Sequence, residues 1–329
     1  MQLRPYQQEA LDAIDRSRSN KCMIQMPTGA GKTIVFLNTA LNHWKKVLVI
    51  VPTIDLRDQV LDRASKFYPD KSAMAYHSRD WRNTCWLTTC TSQSLRYEGT
   101  IANLLNTCFD GIVIDECHHS VCDSYASFIE AYEKKWPKTR WLGVTATPKR
   151  LDKKSVMSVF DNNLVYQVGI DDLFHQGWIC DVVYKRFFTE QKLSHRTSTN
   201  DFQRWEIQNL DNDTRNEILL RIYRDPLQFR KTIIFCVSVE HCQNVAKFLR
   251  EQGHNCEAVW GDMDRREREH VLTGFRNGRI RAVTNCQLLT EGFDEPSVDG
   301  ILLARPTASV ALYRQMVGRG LRIHPGKKN

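Results

Sequence analysis

The segment Pro27-Thr28-Gly29-Ala30-Gly31-Lys32-Thr33 joins a short apolar run at 22–26 to an amphipathic stretch at 34–44. A strand, a glycine-bearing turn and a helix that opens with Lys-Thr make a cradle for phosphate. Glycine lets the backbone approach an anion, and a helix N-terminus offers unpaired N–H groups and the positive end of its dipole. In such a cradle Lys32 reaches the β- and γ-phosphates of a nucleotide and the Thr33 hydroxyl holds Mg²⁺, while Pro27 to Gly31 wrap the anion. The strict pattern asks for glycine where Met26 stands. Taken alone, the segment also reads as a flexible loop with an exposed lysine.

A magnesium site needs an acid at the end of a second buried strand. The run Gly111-Ile112-Val113-Ile114, followed by Asp115-Glu116-Cys117-His118, supplies one. The apolar stretch reads as an interior parallel strand. Its C-terminal end is where open α/β sheets bind ligands. There Asp115 holds Mg²⁺ through its water shell and Glu116 polarises an attacking water. Adjacent acids after a strand are also common as a solvated turn or helix cap, a reading weakened by the phosphate loop upstream.

The elements that must position these groups alternate along the chain. Apolar strand signals at 22–26, 47–51, 85–88, 112–114 and 141–144 are separated by helical patterns such as 55–68 and 124–136. A second series has strands at 232–236, 256–260, 280–284 and 298–304, with helices at 239–251, 265–276 and 310–317. Such alternation predicts two α/β domains, each a mostly parallel sheet flanked by helices. The boundary is placed at 160/161, just after a charged stretch at 149–154 breaks the periodicity. A polar segment at about 189–226 carries one helical stripe at 214–223, as an accessory element or a surface loop.

Composition narrows the classes. The 329 residues suffice for two ordinary domains, and 42% hydrophobic with 26% charged residues is a globular balance. No apolar run approaches the ~20 residues that cross a bilayer, and no signal peptide is visible, so no membrane partner and a cytoplasmic location are expected. The formal net charge of +8 suits a polyanion partner without requiring one. The 11 cysteines contain no Cys-x-x-Cys pair, which argues for buried thiols in a reducing compartment. The cluster Cys117-His118-His119 with Cys122 is a poor zinc site, because three consecutive residues do not readily converge on one tetrahedral ion.

With both halves of the phosphate-metal site in view, the chain resembles the superfamily 2 helicases and translocases of the DEAD/DEAH-like group. Lys32-Thr33 and Asp115-Glu116-Cys117-His118 are similar to its motifs I and II. Leu3-Arg4-Pro5-Tyr6-Gln7 resembles the adenine-reading Q-type motif, Pro52-Thr53 with Leu56 and Gln59 motif Ia, and Thr91-Ser92-Gln93 motif Ib. Thr145-Ala146-Thr147-Pro148 matches motif III and Ile233-Ile234-Phe235-Cys236 the strand of motif IV. Thr290-Glu291-Gly292-Phe293-Asp294 with Pro296 resembles motif V, and Gln315-Met316-Val317-Gly318-Arg319-Gly320-Leu321-Arg322 motif VI. Within the superfamily the wording is closest to RadD-like and type III restriction-like ATPases, with XPB-like motors further off.

The resemblance implies two tandem RecA-like domains with an ATP site in the cleft between them, and ATP with Mg²⁺ as cofactors. Arg4 and Gln7 then meet the base, Gly292 and Asp294 the nucleotide from the far side, and Arg319 and Arg322 the γ-phosphate as arginine fingers on one helix. Gln315 joins the catalytic set, and His118, Thr145 and Thr147 couple nucleotide state to the nucleic-acid track. Thr53, Arg57, Thr91, Ser92, Ser238 and Thr290 are the expected backbone contacts to nucleic acid, with DNA favoured over RNA. The basic clusters 149–154 and Arg276-Arg279-Arg281 widen that surface, and Trp81, Trp86 and Trp205 are stacking candidates, Trp86 better suited to a core. The implied activity is a DNA helicase or double-strand translocase in repair, recombination or defence. An RNA helicase, or an ATP-gated sensor whose effector part lies beyond Asn329, are the competing readings.

Overall fold

The computed structural model describes residues 2–77, 85–119, 123–146, 156–187, 202–203, 206, 210–225, 227, 230–290 and 292–327. The chain divides into two compact units, Met1–Asp172 and Leu173–Asn329.

The first unit is built on a parallel sheet of seven strands in the order β3-β4-β2-β5-β6-β1-β7. These are β1 (Lys21–Gln25), β2 (Val47–Val51), β3 (Ala73–Ala75), β4 (Leu87–Thr91), β5 (Gly111–Asp115), β6 (Arg140–Thr145) and β7 (Leu164–Gln167). Every residue of β2, β4 and β5 is buried, which is what a parallel strand covered on both faces requires. Helix α1 (Pro5–Arg16) precedes β1, helices α2 (Lys32–His43), α3 (Ile54–Phe67), α4 (Glu98–Leu105) and α5 (Asp123–Lys135) lie between strands, and α6 (Ile170–His175) follows β7 across the division of the units. Gly111 opens β5 because a Cβ there would run into the Trp44 ring.

Two departures from the sequence reading lie here. The strand expected at 85–88 runs instead over β4, because Thr88, Thr89 and Thr91 are buried threonines that hydropathy alone scores as loop. The boundary expected at 160/161 precedes β7, which pairs in parallel with β1 through Met23↔Leu164 and Ile24↔Tyr166. The first compact unit therefore runs on to Asp172. Asp161 and Asn162, both at positive φ, turn the chain into that strand.

The second unit carries a parallel four-stranded sheet in the order β11-β8-β10-β9. Its strands are β8 (Thr232–Phe235), β9 (Cys256–Val259), β10 (Ala282–Asn285) and β11 (Gly300–Leu303). Its helices are α7 (Asp213–Arg224), α8 (Val239–Glu251), α9 (Arg265–Arg276) and α10 (Val310–Gly318). The strands start level, with Thr232 beside both Ala282 and Gly300. Among the described residues no helix is long and apolar enough to cross a membrane.

Candidate active site

Parallel pairing brings the candidate residues of the first unit to one edge of its sheet. Gln25 at the end of β1 lies beside Thr145 of β6, and Val144 lies beside Asp115 of β5. Neighbouring strands are ~4.8 Å apart, so the phosphate loop, the Asp-Glu turn and Thr145 are close neighbours. The loop itself depends on glycine. Gly29 and Gly31 sit at φ 86° and 81°, and Gly31 is the N-cap of α2, with no room for a Cβ against the Gln7 amide. Lys32 and Thr33 then fall in the first turn, where helical amides have no internal acceptor.

Helix α1 clamps the loop from outside. The Tyr6 hydroxyl donates to Ala30 O at 2.9 Å and Gln7 Nε2 donates to the same carbonyl at 3.1 Å. Gln7 Oε1 accepts from Arg4 N at 3.1 Å, and Arg4 Nη1 donates to the Tyr6 hydroxyl. The base-reading pair expected from the sequence is thus tied into the phosphate loop, and Gln7 is buried. Tyr6 had no assigned role; its position before Gln7 in a buried helical stripe was the available signal.

Behind the loop, Lys32 Nζ meets Glu116 Oε1 at 2.8 Å, with both residues buried. His118 Nδ1 lies 3.1 Å from Thr145 Oγ1 and 3.4 Å from Glu116 Oε2. Glu116 holds a left-handed backbone at φ 47°, unusual for a residue with a Cβ, and its amide donates to Asp115 Oδ1 at 3.0 Å. Burial pushes the Asp115 carboxyl up, to about 7, and the neighbouring Glu116 charge adds to the shift, with Lys32 and Arg63 opposing it. Burial would also raise Glu116, but Lys32 and His118 outweigh it and hold that carboxylate well below its usual range. Arg63 of α3 was not singled out from sequence; its guanidinium feels the Asp115 charge from a partly buried position. A lysine, first-turn amides, a hydroxyl and two carboxylates in this order fit a magnesium-bound triphosphate.

In the second unit the candidate arginines are engaged differently. The buried Arg319 donates through Nη1 to Phe293 O at 2.8 Å, and through Nε and Nη2 to Thr290 O. Arg322 pairs with Asp294. The expectation that both arginines share one helix does not hold: α10 ends at Gly318, Arg319 caps it, and Arg322 lies in the following turn. Gly292 supplies a positive φ of 75° in the loop they brace, and Gln315 is buried on α10.

Of the expected nucleic-acid contacts, Thr91 ends β4, Thr53, Ser92 and Ser238 come directly after strands or the residues that follow them, Arg57 lies in α3, and Thr290 closes the short turn after β10. Thr53 and Ser238 cap α3 and α8, accepting from Leu56 N and His241 N. Ser92 donates to Pro52 O at 3.4 Å, Thr91 faces Ser94, and Thr290 donates to Gln287 O. Arg57 is paired with Asp58. The cluster Arg276-Arg279-Arg281 does not join them: it lies between the end of α9 and the start of β10, at the opposite edge of its sheet. Trp86 is buried, its Nε1 donating to Trp44 O at 3.1 Å. Thr147, the 149–154 cluster, Trp81 and Trp205 lie outside the described residues. No grouping suited to a metal ion occurs among described histidines, cysteines and acids, and the cysteines described are free thiols.

Comparison with known proteins agrees with this layout. Residues 1–150 match the family described as Type III restriction enzyme, res subunit, and residues 214–324 match the helicase conserved C-terminal domain. The Saccharomyces cerevisiae protein named "Putative ATP-dependent helicase IRC3" is 32% identical over 99% of this chain and 50% of its own length. The chain thus spans about half of that relative. The DNA-bound type ISP restriction-modification enzyme LlaBIII superposes with a TM-score of 0.72 at 19% identity, over 99% of this chain and 27% of its own. S. cerevisiae Dbp5 bound to RNA and ADP BeF3 superposes at 0.66 with 16% identity, over 96% of this chain and 79% of its own. At such identities the two structures establish the fold, two parallel α/β units of the tandem RecA-like kind. The ordered motifs, the two family matches and the fold together make this chain a member of the superfamily 2 helicases, type III restriction-like in its first part and a helicase C-terminal domain in its second.

Proposed function

We propose that this chain is the motor of a nucleic-acid-dependent ATPase of helicase or translocase type, acting on DNA. The observation that carries the proposal is the buried Lys32–Glu116 pair beside Asp115. Burying such charges costs several kcal/mol of desolvation, which a scaffold would avoid by using apolar side chains. The cluster makes sense as the resting state of a site whose lysine is handed to a phosphate. The Gly29–Lys32 backbone and Lys32 then bind the triphosphate, Thr33 and Asp115 hold Mg²⁺, and Glu116, released from Lys32, orients water. Magnesium supplies the charge neutralisation that draws electrons toward the leaving phosphate.

In this reading the second unit closes on the nucleotide. Arg322 exchanges Asp294 for the γ-phosphate and Arg319 stiffens the loop beside it, the pair acting as the arginine-finger element. His118, Thr145, Thr147 and Gln315 transmit that closure to Thr53, Arg57, Thr91, Ser92, Ser238 and Thr290, which hold the polymer by its backbone. DNA is preferred because the first half matches a restriction-enzyme family and LlaBIII is described bound to DNA.

The experiment is ATP hydrolysis by this chain with single- and double-stranded DNA and RNA. DNA is expected to stimulate turnover most. Stimulation by RNA alone would transfer the assignment to the RNA helicases. ATP binding without turnover on any polymer would favour an ATP-gated sensor.

A further inference from the structure

Helix α10 ends at Gly318, and the turn that follows it carries both arginines of the proposed finger element. The last carbonyls of a helix have no donor within it and must find one elsewhere. Here the donors come from outside the turn. Lys327 Nζ donates to Gly320 O at 2.7 Å and to Arg322 O at 2.5 Å. Cys180 N donates to Leu321 O at 3.0 Å, and Cys180 Sγ to Gly320 O at 3.2 Å. The consecutive carbonyls of Gly320, Leu321 and Arg322 are thus all held, and Lys327 takes both ends of the row.

Between Arg322 and Lys327 the chain swings out through Ile323, His324, Pro325 and Gly326, all exposed. It turns back at His324, whose carbonyl accepts from Lys327 N at 3.0 Å. Lys327 is the half-buried end of that excursion. Burial lowers its pKa, Arg322 adding to the shift while Cys180, Asp299 and Glu295 oppose it. Drawing an ammonium out of water toward a guanidinium of the same sign is a cost that a neutral cap avoids. In return, a charged donor holds a carbonyl more firmly than a neutral one. One of the carbonyls so held belongs to Arg322 itself, whose guanidinium pairs with Asp294.

We infer that Lys327 is a positioning residue for the arginine finger. It fixes the backbone of Arg322 so that the guanidinium, on leaving Asp294, reaches the γ-phosphate from a set origin. A charge of this kind speeds phosphoryl transfer only when it is held in place beforehand, and a small misplacement is costly. The inference rests on the proposed role of Arg322 and names the group that holds its main chain.

The test compares the parent chain with Lys327→Met, Arg322→Ala and the double variant, by ATP turnover at saturating polymer and by thermal melting. Lys327→Met is expected to lose about tenfold in kcat. Its KM for ATP should stay within about twofold, because in the proposed mechanism Lys32 and the loop amides grip the phosphates. Lys327→Arg, which keeps a charged donor, should return kcat to within about threefold of the parent. Added to Arg322→Ala, Lys327→Met should lower kcat no further while still lowering the melting temperature. If Lys327→Met does not melt cooperatively, Lys327→Gln is read in the same way. Parent-like kcat with a lower melting temperature would make Lys327 a helix cap alone and overturn the inference. A further fall of kcat in the Arg322→Ala background would overturn it too. In both cases a large loss in Arg322→Ala alone leaves the proposed function standing. Parent-like turnover of Arg322→Ala would remove the finger reading and this inference together.

Discussion

The C-terminal edges of the two sheets hold their charges in opposite ways. In the first unit charge meets charge: Lys32 with Glu116, Glu116 with His118, and Asp115 pushed up by burial beside them. In the second unit Arg319 donates to the carbonyls of Thr290 and Phe293, while Arg322 pairs with the Asp294 carboxylate. A side-chain pair can be exchanged for a ligand of like charge at little rearrangement, whereas a guanidinium bonded to backbone defines the loop it sits in. Under the proposed function, the first edge is the phosphate site and the second a loop shaped by Arg319 beside Arg322.

The largest effect should come from the group with the most to exchange. Lys32→Ala removes the cation shared by Glu116 and the phosphates, and turnover at saturating ATP and DNA is expected to fall by ~10³ or more. Phosphate release measured at that ratio checks it. Parent-level turnover would mean that the first edge is not the nucleotide site.

The two arginines sharpen the contrast. Arg322→Ala should cut turnover by roughly 10²–10³ with melting nearly unchanged, because a partly exposed ion pair is worth at most ~1 kcal/mol. Arg319→Ala should cut turnover and also destabilise the second unit by about 2–4 kcal/mol, since two carbonyls lose charged donors. Melting curves of the two variants side by side decide it. If Arg322→Ala melts lower than Arg319→Ala, the division of labour between them is wrong.

That contrast also shows what the sequence could reveal. The strands β2 and β5 and the helices α8 and α9 follow directly from apolar runs and helical stripes, and the order of motifs gave the fold. The residues at the first edge were legible because parallel strands deliver their C-terminal residues to one place. What periodicity did not carry was the destination of polar atoms. Gln7 turned inward to Ala30 because α1 begins at Pro5 and lays Tyr6 and Gln7 on its buried face. Arg319, at the C-cap of α10, bonds to the carbonyls of Thr290 and Phe293, partners that no periodic pattern announces. The strand β7 was missed because its burial is only partial and it adds at the sheet's margin.

The smallest effect tests whether the second unit is sensitive to a buried group of its own. His241 of α8 is fully buried, its Nδ1 accepts from Val237 N at 3.3 Å, and its Nε2 has no partner among the described residues. Burial lowers its pKa to about 4, Arg215 adding to the shift and Asp211 opposing it. The unfolded chain, with an ordinary histidine near 6.5, therefore takes up a proton that the folded unit refuses. Stability is complete above pH 6.5 and declines as pH falls toward 4, by at most about 1.4 kcal/mol per pH unit. Melting between pH 7 and pH 5 should show this decline, and His241→Gln, which carries no titrating group, should flatten it while lowering stability at neutral pH. An unchanged slope in that variant would remove His241 as its source, and the carboxylates of the first edge would not replace it: Asp115, raised to about 7, is stabilised rather than destabilised by acid over this range, and Glu116, held low, titrates below it.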